Sequence, residues 1–222
     1  MNSAIITAGG LGKRMGSQIP KQFLPINDLP VLMHTINLFH QYDDTMELIL
    51  TLPTDWLDYW NKLCDQYEFR VDHRIVTGGE TRFQSVKNAI NHATGDLIAI
   101  HDGVCPLVTH ETLKRCFESA QILRAAVPAI KPNAALRMKT EEGSVGVNRD
   151  EFVCTQTPQV FQRGILIRAY KLPYDASFFD DASVVERMGI PIHVVDGNEE
   201  NIKITTRKDM TFAENVLRDW AN

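Results

Sequence analysis

The chain alternates short apolar runs rich in β-branched residues with longer segments in which apolar residues recur at helical spacing. The short runs have the length and composition of buried strands, and they lie at residues 4–7, 48–52, 74–77, 97–101, 125–130, 192–195 and 202–204. Helices are predicted at residues 32–39, 56–67, 83–93, 113–123, 182–188 and 210–220. This alternation is typical of a doubly wound, Rossmann-like α/β fold with a mostly parallel sheet. We therefore predict a single domain over residues 1–222.

One segment, residues 134–157, interrupts the alternation. Two short extended pieces at residues 136–139 and 144–147 flank the sequence Thr140-Glu-Glu-Gly143, whose glycine suits the turn of a β-hairpin. A hairpin inserted into an α/β domain commonly serves as a lid or a dimerisation arm, and a plain surface loop is the alternative. We expect a dimerisation arm and hence a homodimer.

Composition narrows the classes of function. Apolar residues form 44% of the chain and the net charge is −5, which disfavours broad binding to nucleic acid or to anionic membranes. No stretch approaches the roughly 18 apolar residues of a membrane span, and the first residues lack the features of a signal peptide. The four cysteines form no C-x-x-C pair, which argues against a zinc site and for reduced thiols. We therefore expect a cytoplasmic location.

A glycine-rich loop, Thr7-Ala-Gly-Gly-Leu-Gly-Lys-Arg-Met15, follows the first predicted strand, at the sheet edge where α/β proteins bind ligands. It lacks the Gly-Lys-Ser/Thr of a P-loop, and Met15 replaces the third glycine of a dinucleotide fingerprint. Small residues allow backbone N–H groups to approach a phosphate or base, and two cations follow; these candidates are Ala8, Gly9, Gly10, Gly12, Arg14 and Lys21. A tight structural turn would explain the glycines but not the two cations.

Three later segments add polar residues to the same predicted edge. Residues 78–85 join a predicted strand to a helix, and Asp102 ends the fourth predicted strand. Asp102 is suited to bind ribose hydroxyls or to position metal and substrate, with a capping role as the alternative. Lys203 lies between two isoleucines, where burial would be costly unless it met an anion. An edge strand that points Lys203 to solvent is the alternative.

Together these motifs resemble those of the 2-C-methyl-D-erythritol 4-phosphate cytidylyltransferase family of the non-mevalonate isoprenoid pathway. The matching segments follow one another in order along nearly the whole chain. They are Ala8-Gly-Gly-Leu-Gly-Lys-Arg-Met15, Pro20-Lys-Gln-Phe23, Gly78-Gly-Glu-Thr-Arg82 with Ser85, His101-Asp102, Asn148-Arg149, Thr157-Pro-Gln159, Asp181-Ala-Ser183 and Asn201-Ile-Lys-Ile-Thr205.

The resemblance implies cytidylyl transfer from CTP to a small polyol phosphate, with release of pyrophosphate. It implies that the nucleotide is held by Ala8, Gly9, Gly10, Gly12, Gly79, Glu80, Ser85 and Gly103. It implies catalytic roles for Arg14, Lys21, Asp102 and Lys203, and substrate contacts from Arg149, Thr157, Cys105 and Ala135. Arg149 would come from the partner subunit's arm. Mg²⁺ would be held mainly by the CTP phosphates, which matches the absence of a dense carboxylate cluster in the sequence.

Three positions depart from the family pattern, all on the acceptor side. Cys105 replaces an arginine, and Ala135 and Phe179 replace threonines. The thiol of Cys105 is not expected to act as a nucleophile, because His101 is only a weak candidate for the activating base. Two alternative functions stay open: a cytidylyltransferase for another polyol phosphate such as ribitol 5-phosphate, and a catalytically weak CTP-binding homologue.

Overall fold

The computed structural model describes residues 1–10 and 19–220. Its strands are β1 (Asn2–Thr7), β2 (Pro25–Ile26), β3 (Leu29–Pro30), β4 (Glu47–Leu52), β5 (Arg74–Thr77), β6 (Leu97–Asp102), β7 (Ala125–Ile130), β8 (Arg137–Thr140), β9 (Gly143–Gly146), β10 (Cys154–Thr155), β11 (Gln159–Gln162) and β12 (His193–Asp196). Its α-helices are α1 (Val31–Tyr42), α2 (Leu57–Gln66), α3 (Arg82–Ile90), α4 (His110–Leu123), α5 (Arg163–Ala169), α6 (Asp181–Glu186) and α7 (Arg207–Trp220). In this part of the chain, no helix has both the length and the apolar character needed to cross a bilayer.

The central sheet has the strand order β10-β7-β11-β6-β1-β4-β5, with β12 also paired to β7. The strands β6, β1, β4 and β5 run parallel to one another, as does the pair formed by β7 and β12. Only β10 and β11 pair antiparallel with their neighbours in this sheet, as far as the described residues show. The predicted α/β architecture with a mostly parallel sheet is confirmed.

Both faces of the sheet are covered by apolar side chains. Along β1, Ala4 and Ile6 join the cluster that packs under α1, α2 and α4, while Ile5 joins the cluster on the opposite face. Trp60 and Phe39 lie in the first cluster, and Phe161 lies in the second. A sheet that is buried on both faces has continuous apolar strands, which is why these runs are so visible in the sequence.

The register of the central strands brings three loops to one edge of the sheet. Thr7 at the end of β1 pairs with Asp102 at the end of β6, and β5 ends beside Leu52 of β4. Local signals start the helices at this edge: the Thr81 side chain accepts a hydrogen bond from the backbone N–H of Gln84 and caps α3. The carboxyl ends of β1, β5 and β6 therefore frame a common site.

The prediction of a strand at residues 202–204 is wrong. The backbone there forms no strand in the described structure; Ile204 N donates to the Val104 carbonyl at 2.9 Å, but no ladder develops. The apolar pattern reports burial rather than a strand, since Ile204 is buried and Lys203 is exposed. Conversely, β11 and α5 were not predicted.

The predicted hairpin is formed by β8 and β9, one residue away from the expected bounds. Met138 pairs with Val145 across it. Every residue of both strands is exposed, so the hairpin contributes no side chain to the core. We refer to residues 134–157 as the arm.

Candidate active site

A cavity of about 300 Å³ lies at the carboxyl ends of β1, β5 and β6, and we call it the first cavity. It is lined by Thr7, Ala8, Gly9, Gly10, Lys21, Gln22, Gly79, Glu80, Thr81, Arg82, Ser85, Asp102, Val104 and Lys203. Most of the residues predicted to hold the nucleotide are thus brought together. Gly12 and Arg14, which were also predicted there, lie outside the described residues.

The loop after β5 is shaped by hydrogen bonds to Ser85. Its hydroxyl accepts from the backbone N–H of Gly79 at 3.0 Å and donates to the Thr81 carbonyl at 3.0 Å. A Cβ atom at Gly79 would collide with Cβ and Cγ of Gln84, so only glycine fits here. On the opposite wall, the Gln22 side chain donates to the Ala8 carbonyl at 2.8 Å. Both wall segments are therefore held in place by their own side chains.

Asp102 is the electrostatic centre of the site. Its carboxylate accepts from Lys203 Nζ at 2.5 Å, from Arg82 Nε at 3.4 Å and from the Thr7 hydroxyl at 3.2 Å. Burial alone would raise the pKa of Asp102, but Arg82 and Lys203 lower it to about 2. Asp102 is therefore ionised under physiological conditions and bonds cations rather than a helix end. Lys203 pairs with Asp102 although it remains partly exposed to solvent.

A second cavity of about 240 Å³ adjoins the first. It is lined by Arg82, Asp102, Cys105, Thr155, Gln156, Thr157, Gln159, Phe179, Asp180, Asn201 and Lys203. Three of these residues, Arg82, Asp102 and Lys203, also line the first cavity, and we call them the shared wall. Two ligands in the two cavities would therefore meet at one carboxylate and two cations.

Lys21 lies in the short 3₁₀ helix Lys21–Phe23 and is buried in the wall of the first cavity. Its Nζ donates to the carbonyl of Ile204 at 2.6 Å. This bond connects the loop after β1 to the segment that carries Lys203, so the two predicted lysines lie on linked elements. A buried ammonium group is favourable to an incoming phosphate, because it is screened little by water.

Cys105 and His101 are both buried, and Cys105 lines the second cavity. Burial raises the pKa of the Cys105 thiol well above its ordinary value, so the thiol stays protonated. Burial lowers the pKa of His101 to about 4, and the neutral ring donates from Nε2 to the Cys105 carbonyl at 2.9 Å. This geometry supplies neither a thiolate nor a base beside it, so it gives no support to a nucleophilic cysteine.

Some predicted residues lie elsewhere. Among the described residues, Arg149 and Ala135 line neither cavity; both are exposed on the arm, and Arg149 Nη1 donates to the Asn133 carbonyl at 3.4 Å. Gly103 is buried behind the first cavity, where its N–H donates to the Thr7 carbonyl at 2.8 Å. A Cβ atom at Gly103 would lie 3.2 Å from both Cβ of Ala8 and the carbonyl oxygen of Thr7, so glycine allows close packing at this point.

Thr157, in contrast, lines the second cavity, and its hydroxyl accepts from the backbone N–H of Asp102 at 3.3 Å. Arg82 was not assigned a role from the sequence, yet it lines both cavities. Its sequence signal was its place in the segment Gly78-Gly-Glu-Thr-Arg82, which matches the family pattern and leads into a helix.

The site offers little to a metal ion without a ligand. Within residues 1–10 and 19–220, no group of three or more His, Cys, Asp or Glu side chains is arranged to hold one. Both Asp102 oxygens already accept from cations, and Glu80 is the other acid in the first cavity. Mg²⁺ is commonly bound by one or two carboxylates plus substrate phosphates, and this donor set fits that mode.

Comparison with known proteins gives one consistent result. The model of the family described as IspD, 2-C-methyl-D-erythritol 4-phosphate cytidylyltransferase, matches residues 2–219. The chain is 48% identical over 216 residues to the protein of that name from Bacteroides fragilis, covering 97% of this chain and 99% of the relative. It is 46% identical over 216 residues to the one from Porphyromonas gingivalis, covering 96% of each chain.

Solved structures agree with this result. The crystal structure of 4-diphosphocytidyl-2C-methyl-D-erythritol synthase from Anaerococcus prevotii superposes with a TM-score of 0.83 at 26% identity, over 98% of this chain and 96% of the other. The crystal structure of the cytidylyltransferase from Thermus thermophilus gives a TM-score of 0.80 at 29% identity, over 97% of this chain and 98% of the other.

Proposed function

The chain belongs to the 2-C-methyl-D-erythritol 4-phosphate cytidylyltransferase family, and we propose that it transfers a cytidylyl group from CTP to 2-C-methyl-D-erythritol 4-phosphate and releases pyrophosphate, in isoprenoid precursor biosynthesis. The observation that carries this proposal is the pair of cavities that meet at Arg82, Asp102 and Lys203. A transfer reaction needs a donor and an acceptor held side by side, and this arrangement provides for both.

CTP occupies the first cavity in this proposal. Its base lies against Ala8, Gly9, Gly79, Glu80 and Ser85, and the glycines at 10 and 12 let the chain approach the phosphates. Asp102 receives a ribose hydroxyl, for which its ionised carboxylate is a strong acceptor. Gly103 supports this wall from behind.

The acceptor occupies the second cavity, with its phosphate close to Lys203. An oxygen of that phosphate attacks the α-phosphorus of CTP in line; the new P–O bond forms as the bond to the β-phosphate oxygen breaks, and pyrophosphate leaves. Such transfers depend on positioning and on neutralisation of charge rather than on a protein nucleophile. Lys21 and Arg14 act on the charge that develops on the phosphates.

Mg²⁺, when bound, neutralises and orients the triphosphate. The phosphates supply most of its ligands in this proposal, because the Asp102 oxygens are shared with Arg82 and Lys203.

Thr157 lines the acceptor cavity directly, together with Cys105. Ala135 and Arg149 contribute through the arm.

The first test is pyrophosphate release with CTP, Mg²⁺ and a panel of polyol phosphates. We expect turnover with 2-C-methyl-D-erythritol 4-phosphate well above that with ribitol 5-phosphate. We also expect CTP to raise the thermal midpoint more than ATP, GTP or UTP does, since a wrong base leaves buried polar groups unpaired. Equal stabilisation by CTP and ATP would contradict the nucleotide assignment. Binding of CTP without turnover with any acceptor would instead indicate a catalytically inactive homologue.

We also propose that the protein is a homodimer formed through the arm. The segment exposes several large apolar side chains, among them Met138 (57%), Val145 (46%), Phe152 (46%) and Val153 (48%). A two-stranded hairpin is marginally stable by itself, and a second subunit would bury these side chains. Arg149 would then reach the second cavity of the partner.

A mixing experiment tests this arrangement. Lys21→Ala and Arg149→Ala subunits are each expected to be nearly inactive, and they are combined by co-expression. If Arg149 acts across the dimer, each heterodimer contains one site with both residues intact, and an equimolar mixture recovers about a quarter of wild-type activity. No recovery, or a monomer by light scattering at micromolar concentration, would contradict the proposal.

We further propose a single domain in the cytoplasm. One sheet draws its strands from residues as far apart as Asn2 and Asp196, which supports one domain. The cysteines Cys64, Cys105, Cys116 and Cys154 are all free, which supports a reducing compartment.

A further inference from the structure

Asp181 is a fully buried carboxylate, at 0% exposure, that lies behind the shared wall and lines neither cavity among the described residues. The guanidinium of Arg82 donates to both of its oxygens, from Nη1 to Oδ1 at 2.8 Å and from Nη2 to Oδ2 at 2.6 Å. Such a two-point pair fixes the plane of the guanidinium as well as its distance.

The same carboxylate has a third partner. The hydroxyl of Tyr170 donates to Asp181 Oδ1 at 2.5 Å, and its ring stacks on Phe83 with the centroids 4.7 Å apart. Burial and the neighbouring Asp181 raise the pKa of Tyr170 well above its ordinary value, so the hydroxyl remains a donor. Asp181 is thus itself held in place, by an aromatic residue packed into the core.

The other edge of the Arg82 guanidinium faces the site. Once both Nη atoms are bonded to Asp181, Nε is left to donate to Asp102, at 3.4 Å. Asp102 meets Lys203 with its other oxygen, at 2.5 Å. A continuous chain of contacts therefore runs from the buried Tyr170 through Asp181, Arg82 and Asp102 to Lys203.

We infer that Asp181 is a positioning residue for the transfer: it keeps Arg82 from closing onto Asp102 with two bonds, and so leaves Asp102 free to hold Lys203 at the junction of the two cavities. This inference rests on the proposed function. Without Asp181, the best carboxylate left to Arg82 is Asp102, and a guanidinium that binds it at two points would compete with Lys203.

Packing alone does not account for this arrangement. Burying a charged pair is costly, and well-packed apolar residues in its place are often neutral or stabilising for the fold. Phe83 already stacks with Tyr170 and Phe178, so apolar packing is available at this point. The buried carboxylate of Asp181 is therefore better explained by its orientation of Arg82 than by packing.

The test compares Asp181→Asn with the wild type. The amide keeps the size of the side chain but loses its charge, so Arg82 should turn toward Asp102. We expect kcat/KM for 2-C-methyl-D-erythritol 4-phosphate to fall about tenfold, mainly through a higher acceptor KM, while the Kd of CTP changes less than about twofold. Tyr170→Phe keeps the carboxylate and the ring, and should cause a smaller loss of about threefold in the same constant.

Ser183→Ala is the matched control. The Ser183 hydroxyl completes the capping box at the start of the same helix: it accepts from the backbone N–H of Asp180 at 3.1 Å and donates to the Asp180 carbonyl at 2.7 Å. The described structure shows no bond from this hydroxyl to Arg82 or Asp181. Ser183→Ala should lower the thermal midpoint and leave the kinetic constants unchanged. If the role of Asp181 is purely structural, Asp181→Asn should also lower the thermal midpoint and leave the kinetic constants unchanged. That result would overturn the inference.

A second readout does not depend on turnover. In ¹⁵N-labelled wild-type protein, the two-point pair should slow rotation of the Arg82 guanidinium and give resolved Nη–H signals, which should broaden or merge in Asp181→Asn. Unchanged Arg82 signals, or unchanged acceptor kinetics in an active enzyme, would refute the inference and leave the proposed function intact. If Asp181→Asn does not fold, Tyr170→Phe decides by the same two measurements. A wild type that releases no pyrophosphate while these signals change as expected would instead refute the proposed function.

Discussion

Replacing Lys21 with alanine is expected to lower kcat about a hundredfold, equivalent to about 3 kcal/mol of transition-state stabilisation. Lys21 is buried in the wall of the first cavity and is held by the Ile204 carbonyl, so its ammonium group is already in place before substrate binds. A contact that strengthens as charge develops acts on kcat more than on binding. The Kd of CTP, measured by thermal shift in Mg²⁺, should therefore change little.

Two further variants make this measurement specific. Lys21→Met keeps most of the length of the side chain without the charge and should be as slow as the alanine variant. Lys114→Ala removes an exposed lysine from α4, outside both cavities, and should match the wild type. Wild-type turnover in Lys21→Ala would mean that this lysine only connects two loops, and the proposed catalytic centre would lose a main component.

Introducing arginine at Cys105 is expected to raise kcat/KM for 2-C-methyl-D-erythritol 4-phosphate about tenfold to a hundredfold, the value of one charge-assisted hydrogen bond. Cys105 is 5% exposed and lines the second cavity, where its protonated thiol offers the acceptor no charge. The cavity of about 240 Å³ gives a longer side chain space to extend into. CTP affinity should be nearly unchanged, because Cys105 does not line the first cavity.

The comparison variant is Cys105→Met, which adds length without charge and should bring no such gain. The double variant with Ala135→Thr tests whether the two positions act together, since neighbouring substitutions need not be additive. If the native protein is already fast and Cys105→Arg slows it, the acceptor site has been rebuilt around the thiol. Phe179, 87% exposed at the edge of the second cavity, would then be the next position to vary.

The sheet could be predicted because its central strands are apolar on both faces. The apolar runs that correspond to β1, β4, β6 and β7 could be recognised as strands without knowing which strands lie beside them. β11 was missed because its ends are Gln159 and Gln162, which make the segment polar in the sequence. In the structure, Gln159 is buried and bonds to Asp180 and to the N–H of Ala182, partners that lie more than twenty residues away.

The candidate site was predictable to the extent that its residues lie in short motifs at strand ends. The Gly78–Ser85 turn and Asp102 fall at the carboxyl ends of β5 and β6, so the order of strands and helices places them together. The link from Asp181 to Arg82 was not predictable, because 99 residues separate the two positions. Only the three-dimensional fold shows that a motif near the end of the chain supports the turn near its middle.

The shared wall also has a consequence for inhibitor design. The side chains of Arg82, Asp102 and Lys203 line both cavities, so one molecule that carries a pyrimidine and a phosphate-bearing polyol would span both without a long linker. When two weakly binding groups are joined by a short flexible linker, the second group has an effective concentration on the order of millimolar at its own cavity once the first is bound. Selectivity for this protein within its family would come from the end that meets Cys105 and Phe179, where the sequence departs from the family pattern.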